Sequence, residues 1–388
     1  MANISVIIGQ GQALDGREAA AQATHRALAG AGREPLVLGI VLASHQYPIQ
    51  SVVNGTSTLI GDTPIFGFST SGEITTTGVS QRSVLVALLR GNDLQARADW
   101  WPGFADDSRS AAHKMAQGLQ LYQNNGSLLL ATDGLNGDAK QLCASLPTGN
   151  YTLAGCLAGG DIRHRRSYQI GERQSGHGGV AAAILNGKLT LGIGLAHGWK
   201  PVGSSLKITK ARGPWLRTMN DQTAAEAYAN LMGYTAHDWC FPPLNELVRL
   251  YPLGLETEDK SGLLVRSPLR VETDGSLRMH TSISEGSTAY ILLGSSNSCQ
   301  QAAEQAAREA LTSLGSAHPL FALVLVDISW QMLTESQPGI EVEAIKKVLG
   351  DIPFAGGYTY GQIARDPVSG APELFNQHIQ VILFGETE

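Results

Sequence analysis

Gly67-Phe-Ser-Thr-Ser-Gly72-Glu73-Ile74 recurs twice along the chain, as Gly155-Cys-Leu-Ala-Gly-Gly160-Asp161-Ile162 and as Gly356-Gly-Tyr-Thr-Tyr-Gly361-Gln362-Ile363. The shared frame is a glycine, four residues, a second glycine, a carboxylate or carboxamide, and an isoleucine. Such a recurrence governs the reading of the fold, because each copy marks one structural unit. A short apolar segment precedes each copy: Thr63-Pro-Ile-Phe66, Tyr151-Thr-Leu-Ala154 and Ile352-Pro-Phe-Ala355. Further upstream lie apolar runs of strand type at 36–42, 127–131 and 320–326, and downstream others at 83–89, 179–185 and 378–384. The unit reads strand, helix, Gly-rich turn, strand, three times over.

Between these units the periodicity predicts helices over 17–29, 106–122, 137–146, 223–232, 299–314 and 340–349. Asn186-Gly187 is a strong hairpin signal between strands at 178–185 and 188–195, and Thr273-Asp-Gly-Ser276 is a second hairpin turn. The repeat phase is interrupted near 205–222, which places a domain boundary there: 1–212 and 213–388. The fold class is mixed α/β (α+β), with two related domains that each pack a mixed β-sheet against helices.

Composition narrows the function classes. A length of 388 residues argues for two cores. A net charge of −6 and a pI near 5.9 speak against a general nucleic-acid-binding face. No apolar run approaches the roughly 20 residues of a membrane span, so no membrane insertion is expected. Met1-Ala-Asn-Ile-Ser-Val6 lacks the basic and apolar regions of a signal peptide. The four cysteines, 143, 156, 240 and 299, form no CxxC pair, and the expected setting is a reducing cytoplasm.

The chemistry of the Gly-rich turns has two readings. A P-loop carries lysine after its second glycine, where it meets phosphate. Here that position is Glu73, Asp161 or Gln362; a carboxylate there would repel phosphate and suit an ammonium group or hydroxyl donor. Alternatively, the glycines only let the chain turn tightly and the acids cap backbone N–H groups. Tyr358 and Tyr360 share one side of an extended segment and either line a pocket with their hydroxyl tips or pack in the core. Arg163, with His164, Arg165 and Arg166, forms a basic cluster beside Asp161; it either grips a ligand carboxylate or is a solvated loop. Arg266 sits among apolar residues and needs a partner if buried. Ser69 and Ser71 lie in a turn like a nucleophile elbow, but with the wrong spacing and no assignable histidine. Cys299 opens a helix, where a thiol can be activated, although simple capping by a nearby serine explains the stretch as well. HExxH, GxSxG and Walker motifs are absent from the sequence, so an enzyme using Cys299 or a serine is the third-ranked reading.

Several stretches resemble the FIST family, whose proteins pair FIST N and FIST C domains in signal transduction. They are the first Gly-rich turn, then Leu195-Ala-His-Gly-Trp-Lys-Pro-Val-Gly203, Tyr251-Pro-Leu-Gly254, Val265-Arg-Ser-Pro-Leu269, Asp274-Gly-Ser-Leu277 and Phe354-Ala-Gly-Gly-Tyr-Thr-Tyr-Gly361. Two positions depart from the family pattern. Gln362 stands where the family usually has glutamate, and Asp327-Ile-Ser-Trp-Gln331 where it often has a cysteine followed by an arginine. The resemblance implies a sensor of a small ligand, such as an amino acid, acting through a partner such as a histidine kinase. Self-association is left open. The ligand-binding candidates are Ser69, Ser71, Glu73, Asp161, Arg163, Arg266, Tyr358, Tyr360 and Gln362, with no cofactor. The alternative is the NosP-like branch, which stands alone and binds haem to sense nitric oxide. For it the candidate axial ligands are His197 and His237, and the absence of CxxCH means non-covalent haem.

Overall fold

The computed structural model describes residues 4–30, 32, 34–123, 125–161, 164–257 and 262–387. Its elements form three runs. The first is β1 (Ile4–Gly11), α1 (Gly16–Leu28), β2 (Leu36–Ser44), α2 (Ile49–Ile60), β3 (Ile65–Thr70), β4 (Glu73–Thr75), β5 (Gly78–Ser80) and β6 (Val84–Gly91). The second is β7 (Leu94–Trp101), α3 (Ser108–Gly118), β8 (Ser127–Thr132), α4 (Ala139–Ser145), β9 (Thr152–Leu157), β10 (Gly160–Asp161), β11 (Arg166–Ser167), β12 (Gln169–Gly171), β13 (Gln174–Gly176) and β14 (Val180–Gly187). The third opens with β15 (Leu189–Ala196) and is then interrupted by an inserted domain. That domain comprises β16 (Lys200–Arg212), β17 (Trp215–Met219), β18 (Gln222–Thr223), α5 (Ala224–Met232), α6 (Ala236–Trp239), α7 (Leu244–Leu247), β19 (Leu253–Glu256), β20 (Leu263–Arg266), β21 (Pro268–Val271), β22 (Leu277–Met279) and β23 (Thr288–Leu293). The third run resumes with α8 (Ser296–Leu314), β24 (His318–Asp327), α9 (Ile328–Leu333), α10 (Ile340–Leu349), β25 (Phe354–Thr359), β26 (Gly361–Arg365), β27 (Pro372–Phe375) and β28 (Ile379–Glu386).

Three six-stranded sheets share one strand order: β1-β6-β2-β3-β12-β13, β7-β14-β8-β9-β26-β27 and β15-β28-β24-β25-β4-β5. In each, the third and fourth strands are parallel. The last two strands of every sheet come from a different run. The hairpin β12–β13 completes the first sheet, β26–β27 the second and β4–β5 the third. The exchange is cyclic. The boundary expected between residues 212 and 213 falls in the turn between β16 and β17, and β4–β5 and β26–β27 both pair across it.

The apolar runs in the sequence are continuous because these strands are buried on both faces. Leu38, Ile40 and Leu42 of β2 join Leu129 and Ala131 of β8 and Phe321, Leu323 and Leu325 of β24 in one central core drawn from all three sheets. Their neighbours Val41 and Ala43, Leu128 and Leu130, and Ala322, Val324 and Val326 turn outward to separate layers under the helices. Two of these helices are alanine-rich for a reason visible in the strands beneath them. A Cβ on Gly9 would stand 1.9 Å from Ala23 O of α1, and one on Gly194 would stand 1.8 Å from Ala306 O of α8. Helix backbone and strand backbone touch there, which only small residues on both sides permit.

Register corrects the alignment of the three turns. Ile74 faces Gly356 and Ile363 faces Gly155 across their exchanged pairings, and the residue facing Gly67 is Ile170. The structural counterpart of Glu73 and Gln362 is therefore Gln169, and Asp161 is not equivalent to them. The second turn carries an excursion that begins with the β10–β11 hairpin before the chain rejoins the common path at Gln169.

The inserted domain has its own core around Tyr228, Trp239, Leu216, Leu253 and Ile291. Its long strand β16 pairs with β23 at one end and β17 at the other, with register breaks between Val202 and Leu206 and after Ile208. Among the described residues no helix is long and apolar enough to cross a membrane.

Candidate functional site

Each central strand ends at an equivalent point: Ser44 after β2's apolar stretch, Asp133 after β8 and Asp327 at the end of β24. Their backbone N–H groups donate to Ser83 O, Gly179 O and His378 O respectively. The residue before each of those acceptors, Arg82, Gly178 or Gln377, is left-handed, with φ of 55°, 67° and 64°. At the third point the left-handed residue carries a side chain and an acid holds it in place. Asp327 accepts Gln377 N–H at 2.8 Å through Oδ2, and Ser329 N–H and Oγ–H at 3.0 and 2.7 Å through Oδ1, capping α9. Burial pushes the Asp327 carboxyl up, against these hydrogen bonds. The Gln377 carbonyl accepts both the Trp199 and Trp330 indole N–H groups at 2.9 Å. Its amide donates to Arg249 O and Ser267 Oγ, both at 3.0 Å, which ties the inserted domain to the third sheet. Gln377 Oε1 is buried and unpartnered.

Above this junction lies a cavity of about 310 Å³. Asp327, Ile328, Ser329, Met332 and Gln377 form its floor, Gly160, Asp161 and Tyr360 one side, and His45 another. The inserted domain closes it with Arg249, Ser267, Pro268, Leu269 and His280. Arg249 Nε donates to Leu269 O at 2.8 Å and Nη1 stands 3.7 Å from Glu246 Oε2; burial lowers its pKa, opposed by Glu246. His280 Nε2 meets Gly134 O at 2.7 Å and Nδ1 lies 3.3 Å from Asn376 Nδ2, with burial lowering its pKa. Tyr360 donates its hydroxyl to Gly160 O at 2.8 Å. Asp161 accepts the His164 backbone N–H at 3.1 Å and meets its ring Nδ1 at 2.6 Å.

Of the residues singled out in the sequence, Asp161 and Tyr360 line this cavity. Ser69 and Ser71 stitch the first turn to the second instead. Ser69 Oγ donates to Gly159 O at 2.6 Å and accepts Tyr168 N–H at 2.7 Å, while Ser71 Oγ accepts Gly160 N–H at 3.1 Å. Glu73, Tyr358 and Gln362 are buried outside the lining. Glu73 accepts Thr70 Oγ1–H at 2.5 Å and Ser83 N–H and Oγ–H at 2.9 and 2.7 Å, the Tyr358 hydroxyl donates to Glu341, and the Gln362 amide donates to Thr359. Arg266 is buried against Glu373 and Leu374 O. Arg163 lies outside the described residues.

The two haem candidates do not line the cavity either. His197 accepts Trp199 N–H at 3.2 Å and packs edge-on to His378 at 4.7 Å, and burial lowers its pKa. His237 is exposed on α6 beside Phe241. Among the described residues no group of three or more His, Cys, Asp or Glu is placed to hold a metal ion.

The thiol of Cys299 is packed in the core beneath α8, capped by Ser295. Burial, and then the charge of Glu341, push it up to about 12. At pH 8 about one such thiol in ten thousand is ionised. Iodoacetamide should therefore leave Cys299 unmodified in the native protein and label it on unfolding, as read by mass spectrometry; rapid native labelling would show an active thiol.

Sequence reading missed Arg249, His280, Asp327 and Gln377 as cavity residues. Arg249 carries the same signal that drew attention to Arg266, a charge within an apolar stretch, Leu247-Val-Arg-Leu-Tyr251. Asp327 directly ends a buried strand, a position that becomes informative only once the strand's end is known to meet another domain.

Comparison with known proteins supplies the family. The FIST N domain matches residues 37–222 and the FIST C domain residues 224–365. No curated protein matches the chain. Among solved structures, cyanuric acid hydrolase from A. caulinodans is 8% identical, with 99% of this chain and 100% of that one covered and a TM-score of 0.38. Phosphoribosylformylglycinamidine synthase II from Thermotoga maritima is 10% identical, with coverages of 99% and 72% and a TM-score of 0.24. The two domain matches together span most of the chain, and it belongs to the FIST family of signal-transduction sensor domains.

Proposed function

We propose that the cavity between the inserted domain and the ends of the Gly-rich turns binds a small zwitterionic metabolite of amino-acid type, and that occupancy is passed to a partner such as a histidine kinase. One observation carries the reading. The cavity sets an arginine, Arg249, and two acids, Asp161 and Asp327, around an apolar wall of Pro268, Leu269, Ile328 and Met332. A guanidinium suits a carboxylate, and an acid with a buried carboxamide oxygen at Gln377 suits an ammonium group. The volume fits a molecule of this size. The hydrogen bonds from Gln377 to Arg249 O and Ser267 run across the floor of the same cavity, so a ligand there touches the joint that holds the inserted domain. The proposal is made without haem, because neither His197 nor His237 lines the cavity.

A thermal-shift screen of the common amino acids tests it. At a hundred times Kd a ligand stabilises by about 2.7 kcal/mol, a shift of several degrees. Arg249→Gln should abolish the shift while the unliganded protein keeps its melting temperature within a few degrees. No shift with any amino acid, or an undiminished shift in Arg249→Gln, would overturn the assignment.

A further inference from the structure

A second cavity, of about 210 Å³, shares Leu269 and His280 with the first, so these two residues of the inserted domain wall one from the other. It occupies the equivalent place on the second sheet. Asp133 stands where Asp327 does, and Gly178 N–H donates to Asp133 Oδ2 at 2.7 Å as Gln377 N–H donates to Asp327 at 2.8 Å. The chemistry around the two points differs. Asp133 has its carboxylate engaged by its own loop: besides Gly178 it accepts Leu135 N–H at 2.8 Å, Asn136 N–H at 3.0 Å and the Asn136 amide at 3.2 Å. Asp138, at the rim, accepts Gln141 N–H at 3.0 Å as the cap of α4.

The lining sets two guanidiniums against the carboxylates of Asp133 and Asp138. Arg278, from β22, lies 4.5 Å over the Trp215 ring and among the described residues has no carboxylate within 4.0 Å. Arg165 enters from the excursion of the second turn, with Nη2 donating to Leu135 O at 2.9 Å. Burial, and then the like charge of Arg165, lower the pKa of Arg278. Thr281, 5% exposed, lines the same cavity with its hydroxyl buried and unpartnered. A partly buried guanidinium near a like charge, and a buried hydroxyl without a partner, carry a desolvation cost that an anion relieves.

We propose that this cavity is a second ligand site, for a small oxyanion group, carboxylate or phosphate, held by Arg278, Arg165 and the Thr281 hydroxyl. A planar or tetrahedral oxyanion accepts from a guanidinium fork and from a hydroxyl together. The inference is independent of the zwitterion site, since Arg249 takes no part in it.

Isothermal titration of the full chain with inorganic phosphate and, separately, with succinate tests this. Chloride at matched ionic strength serves as the blank, because salts also act non-specifically on stability and on exposed charges. At least one probe should bind. Arg278→Gln should weaken it at least about tenfold, as loss of a charge-assisted contact does. Thr281→Val should weaken it severalfold. Phosphate binding without succinate assigns a phosphate-bearing ligand, and the reverse assigns a carboxylate. No binding of either probe at tens of millimolar would overturn the proposal, and so would wild-type affinity in both Arg278→Gln and Thr281→Val. Should Arg278→Gln fail to fold, Thr281→Val alone decides, because it removes only one hydroxyl.

Discussion

Replacing Arg266 with methionine should destabilise the protein by about 3–5 kcal/mol, the range for removing one partner of a buried ion pair. Arg266 ends β20 in the inserted domain and is 1% exposed. It donates through Nη2 to Glu373 Oε1 at 2.9 Å and through Nη1 to Leu374 O at 2.6 Å, both on β27 of the second sheet. Truncation removes the guanidinium from that carbonyl and that carboxylate, and Glu373 Oε1 keeps only the Leu374 N–H at 2.9 Å. The Glu373 side chain is about a quarter exposed and recovers some hydration, which favours the lower end of the range. Burial lowers the Arg266 pKa despite the opposing effect of Glu373, so desolvation outweighs the attraction within the pair. The expectation is that the pair specifies docking of the inserted domain more than it stabilises the fold. Arg266→Met with Glu373→Leu should therefore recover most of the loss, since apolar replacement of a whole buried pair is often neutral. Urea unfolding measures both. A single variant within 1 kcal/mol of wild type, or a double variant no better than the single, would refute the account.

Arg266 also marks where sequence reading reaches its limit. Its need for a partner if buried was legible, because it stands among apolar residues, but the partner lies more than a hundred residues away. The strands were legible for the same local reason: Leu36–Ser44 and His318–Asp327 are apolar through most of their length because both faces are covered. The cyclic exchange was not, because nothing in Gly361–Arg365 states that it pairs with β9 rather than with its own sheet. Asp161 was matched to Glu73 by its spacing from a glycine, yet the excursion that follows shifts the true counterpart to Gln169. Ironically for the alignment, that excursion is what delivers Asp161 to the cavity, whereas Glu73 and Gln362 stay inside the protein.

The counterparts of Glu73 lead to the last expectation: Glu73→Gln should gain roughly 2–3 kcal/mol on wild type as the pH rises from 5 to 8. Burial raises the Glu73 carboxyl from its ordinary 4.5 to about 7, although hydrogen bonds from Thr70 and Ser83 pull it down. An acid whose folded pKa exceeds its unfolded value holds its proton more tightly when folded. Its contribution to stability is fully present below about 4.5 and is lost as the pH rises to about 7. A difference near two and a half units, at about 1.36 kcal/mol each, gives a loss on the order of 3 kcal/mol. A carboxamide has no such titration, and the fold already accommodates one at both equivalent positions. Gln169 Oε1 accepts Gly179 N–H at 3.2 Å, as Glu73 accepts Ser83 N–H, and Gln362 Nε2 donates to Thr359 Oγ1 at 3.2 Å, where Thr70 faces Glu73. Asp327 and Glu341 are raised as well and slope the same way, while His197, His280 and His378 are lowered and oppose them by losing stability as the pH falls below about 6.5. The decisive quantity is therefore the difference between variant and wild type, from urea unfolding at several pH values. A difference that stays constant from pH 5 to 8 would mean that Glu73 is already ionised across that range. A difference that widens toward pH 8 identifies Glu73 as a buried acid whose ionisation strains the exchange of β4 into the third sheet.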